Sequence, residues 1–145
     1  MKKFLLLNFM ISQALWAAEY EVKMLDIGSD KEPMVFEPAF LHVNVGDTVT
    51  FIPTNKGHNV ESKVMPEGAE KFQSALDEKF SITLTQEGVY IYVCPPHSMM
   101  NMVGMIQVGK AVNLADVLEK VPRLEKRAMS NKGRLEKLAE QIKEE

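Results

Sequence analysis

The sequence of 145 residues has one cysteine, one tryptophan and three histidines, and it has no excess of basic side chains. A single cysteine excludes a disulfide within the chain, and a domain of this length buries enough surface to fold without one. Acidic residues outnumber basic ones by 20 to 17. This balance argues against a nucleic-acid-binding protein, because such proteins present a basic face to the phosphates.

Long apolar runs are also scarce, and the one candidate lies at the N-terminus in MKKFLLLNFMISQALWAAEY. Its apolar part is shorter than the roughly 20 residues that a membrane-spanning helix needs. Two lysines, an apolar stretch and small residues at Ala17 and Ala18 are typical of a secretory signal peptide, although a buried N-terminal strand or helix is the alternative. We expect residues 1–18 to be removed on export to the periplasm, leaving a mature chain of net charge about −5 without a membrane span.

The single cysteine is informative in an exported protein. Oxidising compartments favour paired cysteines, so an odd one indicates a reactive thiol or a metal ligand. The simpler alternative is a buried cysteine that only contributes to packing.

Residues 19–109 have the pattern of a mainly β domain. Alternating apolar residues predict short strands at 19–25 and 79–85, and further short strands are predicted on both sides of the Gly46–Asp47 turn in 40–53 and at 89–94 and 102–109. Residues 63–76 are the least strand-like stretch and are interpreted as a long connection. Short strands separated by turn residues predict an antiparallel sandwich or barrel.

Residues 110–145 change to the composition of helices, rich in Ala, Leu, Glu and Lys. Asn113 is a good helix cap, and Pro122 should end the first helix or open a second. Ser130 is a possible cap for the last helix. The apolar stripe of this extension should pack on the sandwich, and a partner-binding helix is the alternative.

The segment CPPHSMMNM, residues 94–102, places the only cysteine beside a histidine and three methionines. Cys94 ends one predicted strand, His97 follows three residues later, and Met102 begins the next strand. A hairpin-like loop can therefore direct a thiol, an imidazole and a thioether to one point. These soft donors select copper over calcium or magnesium, and blue-copper sites add a second histidine from elsewhere in the chain.

Two other histidines are available for that second position. His42 lies within an alternating strand and has the pattern of a solvent-facing residue, whereas His58 lies in a Gly-containing loop after a strand. His58 is therefore the predicted partner of Cys94 and His97. A lone loop histidine is usually only solvated, so this assignment depends on the whole pattern.

At these residues the chain resembles the cupredoxins, and among them the pseudoazurin family. The resemblance rests on MVFEPAF, GDTVTFIP, KGHNVES, PEGAEKF and C-x-P-H, in that order along residues 20–145. It implies an eight-stranded Greek-key β-sandwich (19–109) with a C-terminal pair of α-helices (110–145). It also implies one type 1 copper ion held by His58 Nδ1, Cys94 Sγ, His97 Nδ1 and Met102 Sδ.

The resemblance implies further roles around the copper. It favours Met102, eight residues after Cys94, over Met100, which a shorter amicyanin-like loop would use. The Asn59 backbone N–H should donate to the Cys94 sulfur, and Pro96 should shape the ligand loop. Pro95 departs from the family pattern, because it replaces a residue with a backbone N–H.

The function implied is that of an electron carrier and not an enzyme, because all four ligands come from the protein. We expect a monomer that docks its redox partners, a nitrite reductase and cytochromes, at the edge of His97. Lys56 and Lys71 remain from the family's lysine ring, which is thinned here by Val93 and Ile27.

Three other functions compete with the electron carrier. The methionines 99, 100, 102 and 105 could form a Cu(I) delivery or storage site. An oxidase or nitrite-reductase fragment is disfavoured by the short chain and the lack of further histidines. A zinc site is disfavoured by a thioether ligand.

Overall fold

The computed structural model describes residues 16–144. The predicted signal peptide therefore lies outside the described residues, except for its last three positions. Those three residues are exposed and lead into the first strand, with Trp16 90% exposed.

Eight strands and two C-terminal helices make up the described chain, which confirms the predicted fold class. The strands are β1 Glu19–Ile27, β2 Pro33–Glu37, β3 Phe40–Val43, β4 Thr48–Pro53, β5 Glu61–Val64, β6 Phe80–Thr83, β7 Gly88–Val93 and β8 Val103–Val108. A short 3₁₀ helix, Pro95–Met100, joins β7 to β8, and the helices are α1 Leu114–Glu125 and α2 Arg134–Ala139.

The strands form two four-stranded sheets, in the orders β2-β1-β4-β6 and β3-β8-β7-β5. Each sheet contains one parallel pair, β1 with β4 and β3 with β8, so the antiparallel pairing predicted from the short strands holds for the other strand pairs but not for these two. The reason lies at the predicted Gly46–Asp47 turn, where the chain passes from one sheet to the other and does not form a hairpin. The buried Asp47 carboxylate fixes this crossing by accepting hydrogen bonds from the backbone N–H groups of Ala18 and Asn44.

The core between the sheets is built on three aromatic rings. Tyr92 of β7 packs edge-on against Phe36 and Phe51, with ring centroids 4.9 and 5.0 Å away. A Cβ atom at Gly104 on the neighbouring strand would come within 2.4 Å of the Tyr92 ring, so glycine is required there. Burial of Tyr92 raises the pKa of its hydroxyl, which has no hydrogen-bond partner within residues 16–144.

The C-terminal helices cover the outer face of the second sheet. Val117, Val121, Leu135 and Leu138 are buried against the outward side chains of β7 and β8. All six residues of each of these two strands are therefore buried, whereas β1 alternates between buried and exposed positions. The apolar residues of the two helices thus lie in one cluster with the outward side chains of the sheet. In residues 16–144 neither helix has the length and apolar character needed to cross a membrane.

The helical extension differs from its local predictions in three places. Asn113 precedes α1 as predicted, but its side chain exchanges hydrogen bonds with the backbone of Val89 and makes no bond to the helix end. The first helix continues three residues beyond Pro122, because burial of Val121 and Glu125 holds its last turn in place. The residue that precedes α2 is Gly133, with φ 85°, in place of the predicted Ser130 cap.

Candidate metal centre

His58 lies in the connection between β4 and β5, where the chain crosses from the first sheet to the second. Its side chain is completely buried. The loop is fixed by Asp77, whose carboxylate accepts hydrogen bonds from the backbone N–H groups of Gly57 (2.6 Å) and His58 (3.3 Å). The His58 carbonyl in turn accepts a hydrogen bond from the Asp77 N–H at 2.9 Å.

Cys94, His97 and Met102 lie in the connection between β7 and β8, as predicted. Two consecutive prolines begin the 3₁₀ helix and favour its tight backbone, since proline fixes φ near the helical value. The Cys94 N–H donates to the Met102 carbonyl at 3.0 Å, and the Met102 N–H donates to the His97 carbonyl at 3.2 Å. These bonds close the loop, so that Met102 is buried directly beside Cys94.

The two loops bring three donor atoms together. The Cys94 sulfur lies 3.6 Å from His58 Nδ1 and 3.5 Å from His97 Nδ1, and all three atoms lie within 4.8 Å of one another. Among residues 16–144 this is the one group of three or more His, Cys, Asp or Glu side chains arranged to hold a metal ion. His58 and Cys94 are buried, whereas His97 is partly exposed at the surface.

Asp26, at the end of β1, orients the buried histidine. His58 Nε2 lies 2.9 Å from Asp26 Oδ1, so the ring donates its Nε2 proton to the carboxylate and leaves the Nδ1 lone pair directed at Cys94. A carboxylate behind a histidine in this way is a common support for a metal ligand. Asp26 was not among the predicted site residues, because it lies 32 residues before His58 and no local pattern links the two. Only the parallel register of β1 with β4 brings the two together.

The environment of the thiol favours its neutral form in the metal-free protein. Burial raises the pKa of Cys94, and hydrogen bonds from the backbone N–H groups of Asn59 and His97 partly offset this effect. The Asn59 donor was predicted, and the His97 donor was not. Both place positive dipoles at the sulfur, where a thiolate ligand would carry its charge.

The second imidazole is likewise biased towards the neutral form, in which a histidine can bind a metal. Burial lowers the pKa of His97, the neighbouring His58 lowers it further, and the more distant Asp26 carboxylate acts in the opposite direction. The two imidazole rings lie 4.8 Å apart between centroids, which explains the effect of His58 on the pKa of His97. His42 lies far from this cluster in β3, exposed, with Nε2 2.9 Å from the Gly109 carbonyl.

A Greek-key sandwich with a Cys–His–His cluster at one end, two of its side chains buried and one partly exposed, is characteristic of the cupredoxin class of metal-binding proteins. The comparisons with known proteins agree: residues 22–109 match the family of copper-binding proteins described as the plastocyanin/azurin family. Pseudoazurin from Paracoccus pantotrophus is 44% identical over 112 residues, covering 74% of this chain and 77% of that protein. The chain belongs to this copper-binding family, and within it to the pseudoazurins.

Solved structures support the same placement. The crystal structure of native pseudoazurin from Hyphomicrobium denitrificans has a TM-score of 0.77 and 36% identity, covering 87% of this chain and 99% of that one. Pseudoazurin from Methylobacterium extorquens AM1 has a TM-score of 0.71 and 37% identity, covering 86% and 99%. The family consists of copper-containing electron carriers and not of enzymes, which confirms the predictions of the cofactor and of a non-enzymatic role.

Proposed function

We propose that this chain carries single electrons through a type 1 copper site whose ligands are His58, Cys94, His97 and Met102. The observation that supports the proposal most directly is the convergence of the Cys94 sulfur and two imidazole Nδ1 atoms within 4.8 Å. Two donors bound to one ion at roughly 2.0–2.3 Å should be separated by about 3.5 Å. The sulfur–nitrogen separations of 3.5 and 3.6 Å agree with that value.

The donor set favours copper over zinc. Two imidazoles and a thiolate suit both metals, but the thioether of Met102 is a soft donor that suits copper better. Intrinsic affinity also favours Cu(II) over Zn(II) at such a site. When bound, copper supplies a one-electron couple between Cu(II) and Cu(I).

The protein residues hold the donors and exclude water. His58, Cys94 and Met102 are completely buried, and the four proposed ligands come from the protein, so no position is reserved for a substrate. The partly exposed His97 is the proposed route for the electron. Its loop carries the exposed Met99 and the partly exposed Pro95, which provide a small apolar surface for a transient encounter.

The cellular setting is part of the same proposal. We propose that the chain is exported to the periplasm through residues 1–18 and works there as a monomer with a nitrite reductase or a cytochrome as partner. The exposed Lys56 and Lys71 provide positive charge for such an encounter, whereas Val93, which thins the lysine ring, is an uncharged residue buried under the C-terminal helices. Charge of this kind affects the rate of association more than its strength.

A copper delivery or storage protein is the second candidate, since four methionines lie between residues 99 and 105. The structure separates these side chains. Met102 is buried in the core beside Cys94, whereas Met105 is buried in the cluster beneath the helices and Met99 is exposed. A thioether-rich Cu(I) site would need them to converge, so this arrangement favours the electron carrier.

The visible absorption spectrum of the purified protein, recorded after one equivalent of Cu(II) and again after a mild reductant, tests the proposed function. The electron carrier should show an intense thiolate-to-copper band that disappears on reduction and returns on reoxidation. A protein that retains copper without that band would instead support delivery or storage.

A further inference from the structure

The turn that ends the proposed ligand loop is bonded to the segment between α1 and α2. The Met129 N–H donates to the Met99 carbonyl at 2.7 Å, and the Asn131 side chain donates to the Met100 carbonyl at 2.8 Å. Two successive carbonyls of the loop thus accept hydrogen bonds from residues some 30 positions further along the chain. Neither bond is needed to pack the apolar stripe of the helices on the sheet.

Asn101 is a buried residue of this turn, and its side chain also bonds to the segment between α1 and α2. It is buried and has a left-handed backbone, with φ 57°, which asparagine adopts more readily than most residues. Its side-chain amide donates to both carboxylate oxygens of Glu125, at 3.0 and 3.1 Å, and to the Asn131 carbonyl at 2.9 Å. Its own carbonyl accepts a hydrogen bond from Arg134 at 3.1 Å.

Glu125 and Arg134 extend the network on both sides. The buried Glu125 carboxylate also accepts hydrogen bonds from the backbone N–H groups of Gly133 and Leu135. The Arg134 guanidinium donates to the carbonyls of Met34 and Pro33, which belong to the edge strand β2 of the first sheet. The segment therefore bonds the ligand loop to both layers of the sandwich.

We propose that residues 125–134 act as a clamp that fixes the turn 99–101 and, through it, the relative positions of His97 and Met102. Asn101 immediately precedes Met102, and its N–H donates to the Ser98 carbonyl at 3.0 Å, next to His97. A shift of this turn must therefore move both side chains. Glu125 and Asn131 are positioning residues in this proposal, which rests on the ligand assignment above. A fixed turn would keep the positions of His97 and Met102 nearly the same in the Cu(II) and Cu(I) states.

Amide hydrogen exchange in the copper-free protein separates a clamp on the loop from a network that only holds the tail. The Glu125 carboxylate accepts hydrogen bonds from the backbone N–H groups of Gly133 and Leu135. Glu125→Gln replaces one of its acceptor oxygens with an NH₂ donor, which cannot accept such a bond. We expect exchange at the amides of Asn101 and Met102 to become faster on the order of tenfold or more. Glu119→Gln is the matched control, since Glu119 lies on the same helix and its carboxylate contacts only Arg123 at the exposed surface.

A second variant removes one bond without disturbing the buried carboxylate. Asn131→Gly keeps the left-handed backbone at that position, where φ is 53°, and deletes the donor to the Met100 carbonyl. Faster exchange at Asn101 and Met102, with unchanged exchange in β4, would support the clamp. Faster exchange confined to residues 131–135 in both variants would overturn it.

The copper-loaded protein provides the functional readout. Both variants should shift the reduction potential and the relative intensities of the visible bands, whereas Glu119→Gln should change neither. Unchanged potential and bands in a variant with faster loop exchange would overturn the role in fixing the ligands. If the wild-type protein shows no intense band with copper, the ligand assignment fails, and the exchange data still decide whether the segment holds the loop.

Discussion

Two loops contribute side chains to the metal centre, and they are held by different parts of the molecule. The loop of His58 is fixed within the sandwich by the carboxylates of Asp26 and Asp77. The loop of Cys94 and His97 is closed by its own backbone bonds and is then attached to the segment between the two helices. The first histidine is completely buried, whereas the second reaches the surface.

Rigidity at this site therefore has two separate sources. Changes in the sandwich should act on the buried side of the site, and changes in the tail should act on the exposed side, which is the proposed docking surface. Variants that affect one loop and not the other are therefore the sharpest tests.

The largest effect is expected from His58→Ala. Removing this imidazole takes one of the proposed ligands from the buried side, so the intense visible band of the copper-loaded protein should be lost. His42→Ala is the control, because His42 is exposed on β3 and remote from the cluster. Loss of the band in both variants, or in neither, would contradict the ligand assignment.

The next largest effect tests which methionine of the Cys94 and His97 loop is the copper ligand. Met102→Leu preserves volume and should cost less than about 1.5 kcal/mol of stability, while removing the proposed axial thioether. We expect a higher reduction potential, by tens of millivolts, because a donor to Cu(II) is lost. Voltammetry of Met100→Leu provides the comparison, and a larger shift in that variant would identify Met100 as the ligand.

A smaller shift is expected from Asp26→Asn, which acts on the buried side alone. The carboxylate stabilises the more positive Cu(II) state through His58, so its neutralisation should raise the reduction potential by tens of millivolts at most. The Asp26 side chain is about half exposed, and water screens its charge. Glu21→Gln removes an equal charge from the exposed face of the same strand; an equal shift in both variants would mean that the hydrogen bond has no special role.

The smallest effect is expected from Asp77→Gly. Glycine retains the left-handed backbone of this position, where φ is 62°, but deletes the acceptor for Gly57 and His58. Unfolding by denaturant should show a loss of about 1 kcal/mol. Hydrogen exchange should become faster at Gly57 and His58 and stay unchanged at Asn101. Faster exchange in both loops would show that they are coupled and not independently held.

Much of the site could be predicted because its residues carry local signals. Cys94, His97 and Met102 stand together at the end of a short apolar strand, and His58 follows another strand in a loop marked by glycine. The types of donor then indicate the metal. Such reasoning works where the chemistry is concentrated in one short segment.

The supports of the site could not be predicted in this way, because they depend on the pairing of distant segments. Asp26 meets His58 only through the parallel pairing of β1 and β4, and Glu125 meets Asn101 only after the tail has docked. An acidic residue at a strand end or in a helix is common in any sequence and gives no local signal of such a role. Its role is visible only once the sheets are assembled.

Parts of the fold were missed for similar reasons. The strands β2 and β5 have only five and four residues, and Met34 in β2 has a positive φ of 49°, so neither presents a long alternation. Asn113 has the residue type of a helix cap, but β7 offers its side chain two backbone partners at 2.7 and 2.9 Å. Tertiary contacts override local preference in such cases.

The position of His58 at the crossing between the two sheets has a consequence for folding thermodynamics. His58 and Cys94 are separated by 36 positions, so an ion bound to both closes a chain loop that the unfolded protein leaves open. The folded chain already holds these donor atoms 3.6 Å apart, so copper binds the native state in preference to the unfolded one and stabilises it by mass action. Copper binding and folding are in this way linked equilibria, so a tighter affinity for copper raises the free energy of unfolding of the loaded protein.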